Sequence, residues 1–230
     1  MLTNLIFPRR CLICDDFTGD KLICKRCRMV PRTVTEPRCI KCGKHIEDDS
    51  VQYCADCRIN KKNFVAGVAL YEYDSVSDSI NRFKNGGRTE YAEFYTKEII
   101  RKYKDVLRSY NADALVPIPL SAAKEKRRGY NQAELLAQGL SGSLSIPVRN
   151  DILIRVGRTK EQKKLTHEER QNNLVGSFHM AENDVKLKTI ILVDDVYTTG
   201  STMNEAARIL LTGGVERVYF VTLAIGIGNS

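Results

Sequence analysis

Apolar positions recur along this chain with two periods. Ile190-Ile191-Leu192-Val193 is an unbroken apolar run, and Val218 to Ala224 is a second apolar stretch suited to a sheet interior. Between them Met203, Ala206, Ala207, Leu210 and Leu211 recur at i, i+3, i+4, i+7 and i+8, one face of a helix that Gly213-Gly214 ends. The same alternation appears upstream. Phe64 to Tyr73 predicts a strand, and Val76, Ile80 and Phe83 a short helix capped by Asp74 or Ser75. Ala92, Tyr95, Ile99, Tyr103, Val106 and Tyr110 mark one side of a long helix. Ala112 to Pro119 reads as a strand that its two prolines keep from continuing in a ladder. Ala133, Leu136, Ala137 and Leu140 form another helix face, Ser141-Gly142-Ser143 a loop, and Ile146 to Val156 one or two short strands. Strands alternating with helices predict an α/β fold with a mostly parallel sheet.

Residues 1–62 break this pattern. They hold all eight cysteines, in four C-x-x-C pairs: Cys11/Cys14, Cys24/Cys27, Cys39/Cys42 and Cys54/Cys57, with spacers of nine, eleven and eleven residues. Each pair offers two sulfurs to one tetrahedral metal, and four sulfurs close a structural zinc site. Large apolar residues are few here, so metal must supply much of the folding energy. Two Zn²⁺ are expected, held either by sequential pairs or by an interleaved cross-brace. A disulfide framework fits poorly with the cytoplasmic location expected of this chain. His45 lies three residues after Cys42 but is surplus to both sites. The boundary is placed at Lys61-Lys62-Asn63, giving a zinc-ribbon domain at 1–62 and an α/β domain at 63–230.

The chemistry concentrates where the apolar run ends. Asp194 and Asp195 follow it, then a loop of small hydroxyl residues around one glycine: Thr198, Thr199, Gly200, Ser201 and Thr202. A helix N-terminus with uncovered backbone N–H groups is a phosphate cup. Two carboxylates repel a phosphate but suit neighbouring hydroxyls or a hydrated Mg²⁺. A ligand with a phosphate a few ångströms from a diol is a ribose 5-phosphate. Lys124 to Arg128, a basic run, sits at the carboxyl end of an earlier strand and hence on the same edge of the sheet. Lys84-Asn85-Gly86-Gly87-Arg88 reads as a flexible basic turn, a solvated connection rather than a contact. Gly157 to Gln171 is highly charged, with Arg158, Lys160, Lys163, Lys164 and Arg170, and suits a lid over an anionic substrate or a disordered insertion; its His167 reads as an ordinary loop histidine.

The formal charge of +8 on 230 residues points toward phosphorylated ligands or nucleic acid. Eight thiolates against two Zn²⁺ remove half of it, so the basic excess is moderate. No run of eighteen apolar residues occurs, so no membrane insertion is expected. Met1 to Arg10 is too short and interrupted for a signal peptide, which makes cytoplasmic the default.

Ile190 to Thr202 resembles the phosphoribosyl-pyrophosphate (PRPP) motif of type I phosphoribosyltransferases. Arg128-Gly129-Tyr130-Asn131-Gln132, the pattern Arg158-Thr159…Gln162…Leu165…Arg170…Asn173-Leu174…Gly176…Phe178, and the cysteine pairs together resemble the ComF (ComFC-type) competence proteins over essentially the whole chain. The resemblance implies a parallel sheet flanked by helices behind a small double zinc ribbon, and a role in DNA uptake. It implies that Asp194 and Asp195, the catalytic pair, bind the ribose hydroxyls directly or through Mg²⁺, while Thr198, Thr199, Gly200, Ser201 and Thr202 hold the 5-phosphate. Pro119, Leu120 and Ser121, with Arg127 and Arg128, match the pyrophosphate loop; Arg158, Lys163, Lys164 and Arg170 match the lid. The implied activity is phosphoribosyl transfer to an acceptor that no stretch identifies. The alternative is a non-catalytic competence factor that binds single-stranded DNA, a competence helicase or other DNA-processing proteins and uses the PRPP site for regulation. For single-strand stacking the cysteine unit offers only Phe7, Phe17 and Tyr53.

Overall fold

The computed structural model describes residues 9–156, 177–181 and 186–226. Its centre is a four-stranded, wholly parallel sheet in the order β3 (Gly67–Glu72), β8 (Arg217–Ile225), β7 (Thr189–Tyr197), β4 (Ala114–Pro117). The helices between them are α2 (Ser77–Asn85), α3 (Tyr91–Ser109), α4 (Ala122–Arg128), α5 (Gln132–Leu144) and α6 (Ser201–Thr212). Two short pairs stand apart: β1 (Arg9–Arg10) with β2 (Phe17–Gly19), and β5 (Leu153–Arg155) with β6 (Phe178–Met180), both antiparallel. A five-residue helix, α1 (Ala55–Ile59), lies in the second cysteine unit.

Successive strand residues face opposite sides of a sheet, and the core divides accordingly. Leu115, Ile191 and Val193 join Tyr95, Ile99, Tyr103 and Leu107 of α3 and Leu136 and Leu140 of α5 on one side. Ala114, Val116, Ile190 and Leu192 join Met203, Ala206, Ala207 and Leu210 of α6 on the other. Both faces are therefore covered, as a parallel sheet requires.

The cysteine-rich segment belongs to this core. Leu12 and Leu22 join one cluster; Val34, Cys39, Cys42 and Ile46 join the other. Its linker closes the β3 edge, since Val34 N donates to Leu70 O at 3.0 Å and Glu72 N to Arg32 O at 2.8 Å. The β4 edge is closed by residues 147–149, with Leu115 N on Pro147 O at 2.8 Å and Arg149 N on Leu115 O at 2.9 Å. Unpaired backbone edges invite foreign strands, and both are occupied here. Among the described residues no helix is long and apolar enough to cross a membrane.

Several local expectations shift. In α3 the buried stripe runs through Leu107, fully enclosed, and leaves Val106 39% exposed. The basic run at 124–128 is helical, and Ser141-Gly142-Ser143 continues α5. Neither Asp74 nor Ser75 caps α2; Ser75 Oγ donates to Glu72 O and accepts Arg32 N, both bonds of the turn after β3.

Gly67 lies opposite Phe220 in the β3–β8 register, and a Cβ there would come within 2.1 Å of the Phe220 ring. Gly67→Ala is expected to destabilise the fold by roughly 1–3 kcal/mol through overpacking, measured as a lower denaturant midpoint at unchanged m-value.

Candidate functional site

The eight thiols form two clusters, Cys11/Cys14/Cys24/Cys27 and Cys39/Cys42/Cys54/Cys57, with all sulfurs of each within 4.8 Å of one another. The pairing is thus sequential, not cross-braced. Cys14 and Cys24 sulfurs lie 3.9 Å apart, and those of Cys42 and Cys54 3.7 Å. A tetrahedral site with Zn–S of about 2.3 Å has S···S edges of about 3.8 Å, so the donor set fits structural zinc. Crowding splits the thiols: contact with Cys42 and then Cys57 draws Cys39 far down, contact with Cys39 drives Cys42 far up, and contact with Cys39 pushes Cys57 up to about 12. Burial pushes Cys27 up to about 12. A dication removes that conflict by stabilising every thiolate at once. His45 is exposed, outside both clusters, with Nδ1 3.2 Å from Thr35 O.

The acid pair sits at a step in the sheet. The β4–β7 ladder ends at Pro117 opposite Val193, with Ile118 N on Val193 O at 2.9 Å. On the other side β7 runs on, pairing Asp194 with Thr222, Val196 with Ala224 and Tyr197 with Ile225 of β8. The strand therefore carries both acids instead of stopping before them. Asp195 is 7% exposed and its Oδ1 lies 2.8 Å from Lys84 Nζ. Asp194 Oδ1 accepts the Asp195 N–H at 2.8 Å. Burial, and then the charge of Asp195, push the Asp194 carboxyl up to about 7, against a smaller pull from Lys84 and Arg155.

Lys84, at the end of α2, was hidden in the sequence inside a turn that looks like a solvated connection. Three bonds hold that turn. Gln132 Nε2 donates to Lys84 O at 3.3 Å, Tyr130 Oη donates to Phe83 O, and Arg128 Nη1 donates to Gln132 Oε1 at 2.8 Å. Asn131 accepts Ala133 N as the α5 N-cap and donates to Ile118 O at 3.0 Å. Residues 128–132 thus lace the Lys84 turn to the end of β4. Lys84, Asn85, Gly87, Arg127 and Arg128 line a cavity of 340 Å³. Pro119, Leu120 and Ser121 are half-buried at the end of β4, and Arg155 Nη1 donates to Pro119 O at 3.4 Å. Burial, and then Arg155, Arg128 and Lys84, lower the Lys124 ammonium.

The hydroxyl loop follows β7 directly. Gly200 takes φ +74°, and a Cβ on it would lie 2.1 Å from the Tyr197 hydroxyl, so both conformation and space require glycine. Thr199 Oγ1 and Ser201 Oγ are 2.8 Å apart, and Ser201 N donates to Thr199 Oγ1 at 3.4 Å. α6 starts at Ser201 with no side-chain cap from Gly200. The remaining first-turn N–H groups, among them that of Thr202, have no intrahelical acceptor. Thr198 and Thr199 also line a second cavity, of 460 Å³, closed by Ile225 at the end of β8 and by Ile46, Val51 and Tyr53 of the second cysteine unit. Arg158, Lys163, Lys164, Arg170 and His167 lie outside the described residues.

Known families and proteins resemble this chain. The family described as "Double zinc ribbon domain" matches residues 2–58, and "Phosphoribosyl transferase domain" matches residues 91–227. Competence protein F of Haemophilus influenzae is 33% identical over 226 residues, covering 95% of this chain and 97% of its own length. Competence protein ComFC of Bacillus subtilis is 32% identical, covering 89% of each. The DNA utilization protein YhgH of Escherichia coli is 30% identical, covering 93% of this chain and 96% of its own.

Elemental analysis is expected to return about two zinc ions per chain, and Cys54→Ser to lower it to about one; metal-free folded protein would contradict the clusters. The raised Asp194 carboxyl means that the folded state keeps a proton that the unfolded chain has lost. Stability therefore falls as pH rises from the ordinary carboxylate range through about 7. Asp194→Asn removes that penalty, so ligand-free melts should match wild type near pH 4 and exceed it at pH 8. A relief on the order of 1 kcal/mol raises Tm by about 2–4 °C in a chain of this size.

Proposed function

The chain belongs to the ComF family of competence proteins and carries a phosphoribosyl transferase domain, and from that premise we propose that it binds PRPP with Mg²⁺ and transfers phosphoribose to an acceptor in the course of DNA uptake. The observation that carries this reading is one of placement. At the carboxyl edge of a parallel sheet, half-buried Asp194 and buried Asp195 are followed, six residues after Asp195, by the N-terminus of α6, with a lysine on Asp195. Ligands of such sheets bind beyond the strands' carboxyl ends.

Residues 63–230 are assigned the transferase site and residues 1–62 the zinc-bound head. The 5-phosphate takes the backbone N–H groups and hydroxyls of Thr198, Thr199, Gly200, Ser201 and Thr202. Asp194 and Asp195 accept from the ribose hydroxyls. Pyrophosphate lies toward Pro119, Leu120 and Ser121, in the cavity lined by Lys84, Arg127 and Arg128. The two carboxylates are hard oxygen donors that fit Mg²⁺, which would supply neutralisation of the pyrophosphate. Lys84 holds Asp195 in the ligand-free protein and turns to the anionic leaving group when PRPP enters. Displacement at C1 builds positive charge on the ribose, and carboxylates held in a nearly dry site stabilise it. The nucleophile enters from the 460 Å³ cavity, whose apolar wall comes from the second cysteine unit. That size suits one small organic acceptor.

A second reading is favoured by the name of the relatives called DNA utilization proteins. In it the same site regulates binding to single-stranded DNA or to a DNA-processing partner. The exposed Phe17 ring, with the Arg10 guanidinium 3.9 Å from its centroid, is one stacking surface of the kind such binding uses.

Calorimetric titration with PRPP and Mg²⁺ is expected to give saturable one-to-one binding, lost in Asp194→Asn/Asp195→Asn. Equal affinity in that variant sinks the site assignment. PRPP-dependent pyrophosphate release with a panel of nitrogen bases identifies turnover. Salt-dependent single-strand binding that survives the Asp substitutions, without pyrophosphate release, selects the second reading.

A further inference from the structure

Each cysteine cluster touches a different end of the site. At the first, Arg82 Nη2 donates to Leu12 O at 2.9 Å and Ile13 O at 2.6 Å, the two residues between Cys11 and Cys14. Arg88 reaches Asp15, one residue past that knuckle, at 3.4 Å. Arg82 and Arg88 bracket Lys84, so the knuckle grips the segment that delivers the lysine to Asp195.

At the second, Asp56 stands between Cys54 and Cys57 and holds Lys62 Nζ at 2.8 Å. Lys62 has a side chain only 7% exposed, and its Nζ also donates to Thr199 O at 3.5 Å. The next residue extends the tether: Asn63 N donates to Asn204 Oδ1 at 2.6 Å and Asn63 Nδ2 to Asn204 O at 3.4 Å, while Asn204 N donates to Gly200 O. Beneath the loop, the Tyr197 hydroxyl is buried under Gly200 with no hydrogen-bond partner among the described residues. The loop is thus tethered to the second knuckle through Lys62 and Asn63.

We propose that the two cysteine clusters clamp opposite ends of the phosphoribosyl site, the first through Arg82 and Lys84 at the pyrophosphate end, the second through Asp56, Lys62 and Thr199 at the 5-phosphate end. This rests on the PRPP reading above. Zinc closes each knuckle into one geometry, and that geometry presents the Leu12 and Ile13 carbonyls to Arg82 and the Asp56 carboxylate to Lys62. Arg82 and Lys62 are positioning residues: they set where other groups meet the ligand.

Two ligands separate the clamps, because ribose 5-phosphate lacks the pyrophosphate end. In calorimetry on the full zinc-loaded chain with Mg²⁺, Lys62→Met is expected to weaken ribose 5-phosphate and PRPP alike, by about tenfold, an ordinary coupling strength. Arg82→Met should weaken PRPP by about tenfold and leave ribose 5-phosphate at the wild-type affinity. A loss of fold in Arg82→Met would move both ligands together, so its split reports the first clamp; for Lys62→Met, a wild-type melting temperature and full zinc content separate the second clamp from loss of fold. A second measurement needs no substitution. Coupling is reciprocal, so in chelator competition ribose 5-phosphate should tighten one of the two zinc ions and PRPP both. Normal binding of both ligands by either variant, or zinc affinities indifferent to both ligands, overturns the clamps while PRPP binding by the wild type stands. Failure of the wild type to bind PRPP overturns the functional reading and the clamps with it.

Discussion

A carboxylate withdrawn from water needs a cation, and the pairing of Asp195 with Lys84 organises much of this molecule. The partner arrives from a helix distant in sequence. α2 must therefore end at one spot above the sheet, and its turn must be held there. Gln132 and Tyr130 hold it from the α5 side, and Arg82 holds it from the first cysteine knuckle. Among the described residues Asp194 makes no ion pair; it accepts the Asp195 N–H, and its carboxyl is pushed up to about 7. Two adjacent acids thus differ in surroundings, because Lys84 meets Asp195.

The cysteine-rich head is part of the same packing problem. A four-stranded parallel sheet has two faces and two edges to cover. Helices cover the faces, the linker between the knuckles pairs with β3, and the knuckles add Leu12, Leu22, Val34 and Ile46 to the two cores. With so few large side chains of its own, the head relies on metal to become a rigid body. Once rigid, it reaches both the α2 turn and the hydroxyl loop. The aromatic group below that loop shows the same economy of space. Tyr197 stacks on Phe220 at 5.1 Å, Phe64 meets Phe220 edge-on at 4.9 Å, and Gly200 is the residue that leaves room for the Tyr197 hydroxyl.

The alternation of strands and helices was legible because buried strands and one-sided helices carry different apolar periods. The zinc clusters were legible because C-x-x-C spacing is local. The acid pair and the hydroxyl loop were legible as neighbours in one strand–loop–helix stretch. Errors arose where the period is ambiguous or the partner remote. Val106 and Leu107 are both apolar and both near the stripe of α3, and packing chose Leu107. The basic run at 124–128 lacks an apolar face, so its helix left no periodic trace. Lys84 lay in a glycine-rich basic turn with nothing nearby to distinguish it from any solvated loop.

From sequence alone came the elements, the eight thiols and the closeness of the acid pair to the hydroxyl loop, since each depends on residues close together in the chain. Which cysteine pairs cluster together, which cation meets Asp195, and how the head reaches the hydroxyl loop were decided only by tertiary structure. Those contacts join Lys84 to Asp195, Arg82 to Leu12 and Lys62 to Thr199. Charge and hydrogen bonding act over a few ångströms and are indifferent to sequence separation, so only the folded path of the chain brings such partners together.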